Sequence, residues 1–189
     1  MKKGLIVVLV IVVIIAAFAC TFISKYNSLV QLDEEVQMAS SQIDNQLQRR
    51  NDLIPNLVET VKGYADQEKE IFANVSDARA KLIGATGVQD KAQADAELSS
   101  SLSRLLAISE NYPDLKSNEN FIQLSDELAG TENRIAVARQ DYNTVANSFN
   151  KTVKQFPMNI FAGIFGFEKA AYFEAADGAE QVPTVDFNN

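Results

Sequence analysis

Residues 120–156 read NFIQLSDELAGTENRIAVARQDYNTVANSFNKTVKQF, and an apolar or aromatic side chain recurs there at every seventh position. The column consists of Phe121, Leu128, Ile135, Tyr142, Phe149 and Phe156. A second column, three residues later, reads Leu124, Thr131, Ala138, Val145 and Thr152. Two such columns are typical of a helix that buries one face in a coiled-coil-like seam. Ser117 or Asn118 can cap the start of this helix.

The same period runs through the part of the chain that follows Ser24. One column reads Leu29, Val36, Ile43, Arg50, Leu57, Tyr64, Ile71 and Ala78, and a second reads Leu47, Ile54, Val61, Glu68, Val75 and Leu82. These columns predict one long helix from Tyr26 to about Ile83. Pro55 lies inside it, but the columns keep their phase across the proline, which favours a kink over a turn.

A shorter helix is predicted between these two. The segment Gly84-Ala85-Thr86-Gly87 ends the first helix, and the next begins near Gln89 and ends at Asn111-Tyr112-Pro113. Its predicted inner residues are Ala92, Ala96, Leu98, Leu102, Leu105 and Leu106. Short connections place consecutive helices antiparallel, so the sequence predicts an all-α, up-and-down helical bundle without strands. Because the second helix is short, we expect part of the seam between Leu29 and Leu47 to face another chain.

Residues 4–23, GLIVVLVIVVIIAAFACTFI, form an uncharged apolar segment. As a helix it would span about 30 Å, the thickness of the hydrocarbon layer. We interpret residues 1–23 as a retained transmembrane anchor that runs directly into the first bundle helix. The alternatives are a cleaved secretory signal, or a lipoprotein signal in which Cys20 is lipidated. Two lysines, Lys2 and Lys3, precede the segment and one, Lys25, follows it, which predicts a cytoplasmic N-terminus. The segment would then anchor the chain in the cell (inner) membrane, with the bundle on the extracytoplasmic side.

The C-terminal region combines an apolar cluster with a polar tail. The cluster forms the candidate interaction surface and comprises Phe156, Met158, Ile160, Phe161, Ile164, Phe165 and Phe167. It could close the end of the bundle as a short last helix, dock another subunit, or contact the membrane interface. We assign residues 24–176 to the bundle and residues 177–189 to a disordered acidic tail.

Composition excludes several classes of function. The chain has no histidine, which removes the commonest general base and the histidine-containing zinc and di-iron sites. Without Lys2 and Lys3, 15 basic residues stand against 25 acidic ones, so the chain should repel nucleic acid and anionic lipid. No EF-hand-like loop is present. The sequence therefore predicts no catalytic residues, no cofactor, no metal site and no nucleic-acid partner.

Several polar residues occupy or adjoin seam positions, where a buried charge without a partner would cost several kcal/mol. In one interpretation they pair within or between helices and fix the helix register. In the other they line a polar cleft that binds a ligand or metal. The residues are Arg50, Glu68, Glu127, Thr131, Glu132 and Arg139.

The chain resembles the LemA family of bacterial membrane proteins over nearly its whole length. The resemblance is carried by short motifs in the first and third predicted helices and in the segments on either side of the third. They are Tyr26-Asn27-x-Leu29-Val30, Gln46-Leu47-x-Arg49-Arg50-x-Asp52-Leu53-Ile54-Pro55-Asn56-Leu57-Val58, Val61-Lys62-Gly63-Tyr64 with Glu68, Leu115-Lys116-x-Asn118-Glu119-Asn120-Phe121, Glu127-Leu128-x-Gly130-Thr131-Glu132-Asn133-Arg134-Ile135, Ala138-Arg139, Tyr142-Asn143, Phe156-Pro157 and Tyr172-Phe173.

The resemblance implies a four-helical up-and-down bundle behind one N-terminal transmembrane segment. It also implies a role in membrane-associated organisation, as in magnetosome membranes, and it supplies no reaction. We therefore expect a non-enzymatic, membrane-anchored scaffold with protein partners and self-association, bound to the bilayer through residues 4–23. The alternatives are a sensor or signalling adaptor that couples helix movement across the membrane and, more remotely, a carboxylate-based hydrolase.

Overall fold

A computed structural model describes residues 2–174, and the side chains of Lys2 and Lys3 are outside the description. Six α-helices cover most of this range, and none of its residues lies in a β-strand. The helices are α1 (Lys2–Ala65), α2 (Lys69–Gly84), α3 (Val88–Ala107), α4 (Pro113–Lys116), α5 (Glu119–Lys154) and α6 (Met158–Phe165). A 3-10 helix, Ile108–Asn111, follows α3. The predicted all-α fold is confirmed.

The prediction of one helix from Tyr26 to about Ile83 is wrong. Helix α1 ends at Ala65, and α2 folds back along it, so that Arg79 of α2 reaches the backbone of Asn51 of α1. In one continuous helix these two residues would be about 42 Å apart. The seven-residue spacing suggested one helix because Val61 of α1 and Val75 of α2 are two heptads apart and are both buried. The turn between them interrupts the helix without changing this spacing.

Pro55 does not end α1, which continues for another ten residues to Ala65. A proline lacks the N–H that would bond to the carbonyl four residues earlier, and that carbonyl belongs to Asn51. Arg79 donates its Nε–H to this oxygen at 3.1 Å. A side chain from the neighbouring helix therefore satisfies the backbone acceptor that the proline leaves unpaired, in a buried part of α1.

Helix α3 lies antiparallel to α2. The connection at Ala85–Gly87 includes Gly87 in a positive-φ conformation (φ 86°) that glycine adopts without steric cost, and α2 ends as predicted at Gly84. Across the pair, Lys81 Nζ lies 2.6 Å from Glu97 Oε2, and this hydrogen bond and charge raise the pKa of Lys81. Contacts of α3 with α1 advance in the same direction along both chains, from Lys91–Asp44 to Asp95–Arg50, so these two helices run parallel.

Helix α5 runs antiparallel to α1. Asn118 Nδ2 donates to Tyr64 Oη at 2.9 Å near the end of α1, and Glu132 lies farther back, beside Arg50. Asn118 also caps α5, as predicted, by accepting the backbone N–H of Phe121. Helices α1, α2, α3 and α5 thus form the expected up-and-down bundle, with α4 in the connection before α5. Five members of the α5 column are buried, namely Phe121, Leu128, Ile135, Tyr142 and Phe149.

The described residues divide into two compact units. The bundle unit comprises Gln42–Gln140 and, at the end of the described range, residues 171–174; it contains the four-helix bundle described above. The terminal unit comprises the residues up to Ser41 with Asp141–Ala170. The seam expected to face another chain is already covered, because Leu29 and Val36 in the terminal unit and Ile43 and Leu47 in the bundle unit are all buried within this chain.

The sixth member of the α5 column, Phe156, departs from the prediction. Its side chain is 81% exposed because α5 ends at Lys154 and α6 starts in a new direction after Pro157. Gly166, with φ 76°, ends α6, and the chain then returns to α5. There Asn150 pairs with the backbone of Ala170 through both amide atoms, at 2.8 and 2.9 Å. The predicted tail, residues 177–189, lies outside the described residues.

Candidate functional site

A buried ion cluster occupies the interior of the bundle unit. Arg50 of α1 is 4% exposed, and its Nη1 lies 2.6 Å from Asp95 Oδ1 of α3, which is 1% exposed. The other guanidinium nitrogen, Nη2, donates to Ser99 Oγ at 2.9 Å. A planar guanidinium with several fixed donors suits such a site, because its two terminal nitrogens reach separate acceptors on α3, Asp95 and Ser99.

Helix α5 completes this ion cluster. Arg139 Nη2 donates to Asp95 Oδ2, the second oxygen of the same carboxylate. Glu132 Oε2 lies 3.0 Å from Arg50 Nη1. The Arg139 guanidinium also stacks over the ring of Phe173, 5.6 Å from its centroid. Two arginines and two acids from three helices therefore balance one another, with Asp95 bridging the arginines.

The cluster joins helices whose facing surfaces are otherwise largely apolar. Removing one partner of a buried ion pair costs about 3–5 kcal/mol, because the remaining charge cannot recover its hydration. A shifted register would separate Arg50 from Asp95 and impose this kind of cost. The geometry can therefore select one alignment of α1, α3 and α5. It provides no open coordination position at Asp95, whose two oxygens are both engaged by arginine.

The other predicted polar residues lie apart from this ion cluster. Thr131 is fully buried and donates its hydroxyl to the Glu127 carbonyl within α5, at 2.8 Å. Glu127 points its carboxylate toward Gln123. Glu68 lies in the turn before α2, where Tyr112 Oη donates to it at 3.4 Å. The structure thus brings together Arg50, Glu132 and Arg139 and leaves the other three outside.

Asp95 and Ser99 are the important residues that the sequence reasoning missed. Asp95 sits seven residues before the buried Leu102, in a column that continues to the buried Ser109, so its position repeats the signal that identified Arg50. An acid in an inner column of one helix and a base in an inner column of another would have predicted the pair. Ser99 carries no such signal, since serines are common on this helix.

An open groove of about 600 Å³ runs along the outer side of α5 in the bundle unit. Ile122, 45% exposed, provides apolar surface in it. Arg49 and Arg134 contribute positive charge, and Gly130 leaves its floor open, since an added Cβ there would approach only Arg134, at 3.7 Å. Mixed charges around an apolar centre are typical of a surface that binds another protein. The other lining residues are Glu119, Gln123, Asp126 and Glu127.

The apolar segment, residues 4–23, is the largest exposed hydrophobic surface of the described chain. Nearly all its side chains are exposed, and α1 is the one described helix long and apolar enough to cross a membrane. Cys20 lies exposed within it as a free thiol. Soluble monomers rarely expose contiguous apolar patches larger than a few hundred Å². Such a surface requires lipid or protein to cover it.

An aromatic cluster joins α6 to the end of this segment within the terminal unit. The ring of Phe22 lies 4.9 Å from that of Phe161 and 5.6 Å from that of Phe165, and Tyr26 lies 4.7 Å from Phe165. Edge-to-face and tilted pairs at these distances are favourable. Of the candidate interaction surface, Met158 is buried, Phe161 and Phe167 are half-buried, and Phe156, Ile160, Ile164 and Phe165 are exposed.

The part of the chain that the structure describes contains no set of side chains placed to bind a metal ion. No group of three or more Cys, Asp or Glu side chains there is arranged to hold an ion. The acids of the ion cluster pair with arginines instead. The arrangement is suited to binding helices together.

Comparison with known proteins gives the family. The LemA family model matches residues 39–187, well over half of the chain. The chain belongs to the LemA family. Magnetosome protein MamQ 2 of Paramagnetospirillum magneticum is 32% identical over an alignment that covers 85% of this chain and 68% of that protein. Magnetosome protein MamQ of Magnetospirillum gryphiswaldense is 29% identical, covering 84% and 68%. Protein LemA of Metamycoplasma hominis is 26% identical, covering 90% and 78%.

Proposed function

We propose that this LemA-family chain is a non-enzymatic, membrane-anchored scaffold that binds protein partners or copies of itself through helix–helix contacts. The apolar segment serves as a single-pass anchor, and the bundle unit presents the binding surface. The bundle lies on the extracytoplasmic side, because Lys2 and Lys3 hold the N-terminus in the cytoplasm.

One observation carries this proposal: helix α1 provides both the exposed apolar segment and the first helix of the four-helix bundle. An apolar stretch that is continuous with a folded helix suits a retained anchor better than a removable signal, since cleavage within it would cut a helix. The ion cluster supports the scaffold role, because its buried members, Arg50 and Asp95, join two helices of the bundle, while Arg139 and the half-exposed Glu132 attach α5 at its edge.

The relatives support a role at membranes. Two of them are named magnetosome proteins, which describes where those proteins belong. A helical protein that organises a membrane compartment needs an anchor and an exposed interaction surface. In the present chain the groove around Ile122, Arg49 and Arg134 can serve as that surface, since it combines exposed apolar area with charges that orient a partner.

Photo-cross-linking in native membranes tests the scaffold proposal. A photoreactive residue at Ile122, in the groove, should form adducts with a second copy or with another membrane-associated protein. The same residue at Ile83, also exposed and apolar but outside the groove, provides a matched control. Monomeric, adduct-free protein from both positions would contradict the scaffold role. Adducts from Ile83 alone would contradict the assignment of the groove.

Mass spectrometry of the membrane-extracted protein tests the anchor. An intact N-terminal region that still contains residues 4–23 is expected. A product that begins at a diacylated Cys20, or one cleaved earlier in the segment, would replace the retained anchor with a lipoprotein or a secreted form.

A further inference from the structure

We infer that α6 is an interfacial membrane helix whose exposed face lies in the headgroup region of the bilayer. The partner of this surface is therefore lipid. This inference rests on the proposed function, because it takes residues 4–23 to cross the membrane. It assigns a role to the part of the candidate interaction surface that packs against α1.

The position of α6 along α1 is the first step. Its rings contact Phe22, which lies next to the end of the apolar segment at Ile23, and Tyr26, which is three residues beyond that end. A helix held against residues 22–26 lies where the anchor leaves the hydrocarbon. The contact fixes the depth of α6 through direct ring packing inside one compact unit.

The two faces of α6 give the second step. Met158 and Ala162 on one face are buried, whereas Ile160 and Ile164 on the opposite face are 51% and 65% exposed. Apart from Asn159, α6 consists of apolar residues and one glycine, and a helix with so little polar surface belongs in a core or in a membrane environment. Since α6 is packed on one side only, the exposed side must meet another apolar medium, and the hydrocarbon around residues 4–23 is adjacent to it.

The distribution of charge gives the third step. The whole chain is acidic, with 25 acids and a net charge of −8, yet no acid occurs in residues 4–32 or in residues 142–167. These two acid-free stretches meet in the aromatic cluster. The charged residues within them are Lys25, Lys151 and Lys154. Lysines beside an apolar helix, with aromatic rings at the same level, are the composition that the membrane interface favours.

This local pattern differs from what the total charge suggests. A net acidic chain is repelled by anionic lipid at long range, but exposed charges farther away than about 8–10 Å are largely screened at physiological salt. Glu168 and Lys169, which follow α6 in the chain, have opposite charges that offset each other, so Lys151 and Lys154 before α6 and Lys25 beyond the apolar segment leave a positive local balance. With residues 4–23 crossing the membrane, the bilayer surrounds the part of α1 that contains Phe22. Of the three interpretations of this surface, contact with the bilayer therefore needs no further partner.

Site-specific fluorescence on the full-length chain in vesicles tests the inference. In a Cys20→Ser background, single cysteines replace Ile164, Val13 or Ile83, and each is labelled with an environment-sensitive dye. Val13 reports the middle of the apolar segment, and Ile83 is an exposed isoleucine of the bundle unit. The vesicles contain phosphatidylcholine and phosphatidylglycerol, with doxyl quenchers attached either near the headgroup or near the chain end.

At position 164 we expect blue-shifted emission, loss of quenching by aqueous iodide, and stronger quenching by the headgroup-proximal doxyl than by the chain-end doxyl. Position 13 should prefer the chain-end doxyl, and position 83 should remain open to iodide. If position 13 lies in lipid but position 164 behaves like position 83, the interfacial helix is wrong while the anchor stands. Exposure of position 13 to iodide would instead refute the anchor.

Dilution of the protein in lipid separates the bilayer from a second copy as the occupant. Protection of position 164 should not change as the protein-to-lipid ratio falls. Protection that disappears on dilution would overturn the inference, because it would show that another chain covers α6. Circular dichroism of each labelled variant checks that the helical content matches that of the wild type.

Discussion

Asp95 is the residue on which the polar interior of the bundle unit depends. It engages Arg50 through one carboxylate oxygen and Arg139 through the other. Asp95→Asn removes the charge that both arginines share and leaves Glu132 as the remaining acid of the ion cluster. We expect a loss of about 3–5 kcal/mol in the free energy of unfolding. Urea titration of the full chain in detergent, followed by circular dichroism, measures it.

Two comparisons make this prediction specific. Arg50→Met should cost less than Asp95→Asn, because Asp95 keeps its pair with Arg139. Lys81→Met, which removes the exposed pair with Glu97, should change stability far less than Asp95→Asn, because solvent screens an exposed ion pair. Equal losses of stability for Asp95→Asn and Lys81→Met would show that the buried ion cluster contributes no more to stability than an exposed ion pair.

The buried phenol of Tyr142 should make the free energy of unfolding decrease at alkaline pH. Burial raises the pKa of its phenol above the ordinary value of about 10. Near neutral pH the phenol carries its proton in both states, so the effect is absent; as pH rises past about 10, the unfolded chain ionises first and the folded state loses stability. Tyr142→Phe should therefore show a smaller alkaline decrease in the free energy of unfolding. Parallel curves for the two proteins would exclude this contribution, since all other tyrosines are shared.

At the scale of the helix, Pro55 and Arg79 should behave as a coupled pair. Arg79→Met keeps an apolar stem but removes the donor to the Asn51 carbonyl, which should cost about 1–3 kcal/mol. In a Pro55→Ala background the restored backbone N–H can bond to the same carbonyl, so the cost of Arg79→Met should fall. A double-mutant cycle of unfolding free energies measures this coupling, expected at about 0.5–3 kcal/mol.

An arginine without this contact provides the control. Arg104→Met, an exposed change on α3, should show no coupling to Pro55. Additive effects of Pro55→Ala and Arg79→Met would mean that the hydrogen bond to Asn51 does not compensate for the proline.

The accuracy of the sequence predictions differed between elements for physical reasons. Helix α5 was predictable because its seven-residue column runs without interruption from Phe121 to Phe149 and Asn118 supplies the cap. The turn between α1 and α2 was not, because it contains neither glycine nor proline and preserves the heptad phase of Val61 and Val75. Periodicity reports which faces are buried; it does not report whether two buried stretches belong to the same helix.

The candidate sites show a similar division. An arginine in an apolar column identified Arg50 as a buried charge, but a single sequence does not say which acid from another helix reaches it, so Asp95 emerged from the fold. The apolar residues of α6 were equally visible in the sequence. Their position beside Phe22 follows from tertiary packing, and the inferred contact with the membrane interface rests on that position.

At the scale of the whole molecule, the lysines on the two sides of the apolar segment predict how the chain is oriented across the membrane. Three lysines, Lys25, Lys151 and Lys154, follow the apolar segment in the regions that meet at α6, and two, Lys2 and Lys3, precede it. A simple count of these lysines would place the α6 side in the cytoplasm. The positive-inside bias, however, counts charges within about 15–20 residues of the segment. Lys151 and Lys154 are far beyond that distance along the chain, so only Lys25 opposes Lys2 and Lys3, and the bias predicts a cytoplasmic N-terminus.

Replacing Lys2 and Lys3 with glutamine should therefore invert part of the population, because Lys25 then carries the remaining bias. The reporter is a single cysteine at Ser103, an exposed position of α3, in a Cys20→Ser background. A membrane-impermeant maleimide should label it in intact spheroplasts of the parent protein and label it less in the double glutamine variant. Lys151→Gln with Lys154→Gln should leave labelling unchanged. A decrease with this second pair would mean that topology is set after α6 reaches the membrane, and a parent protein labelled only after lysis would place the bundle in the cytoplasm.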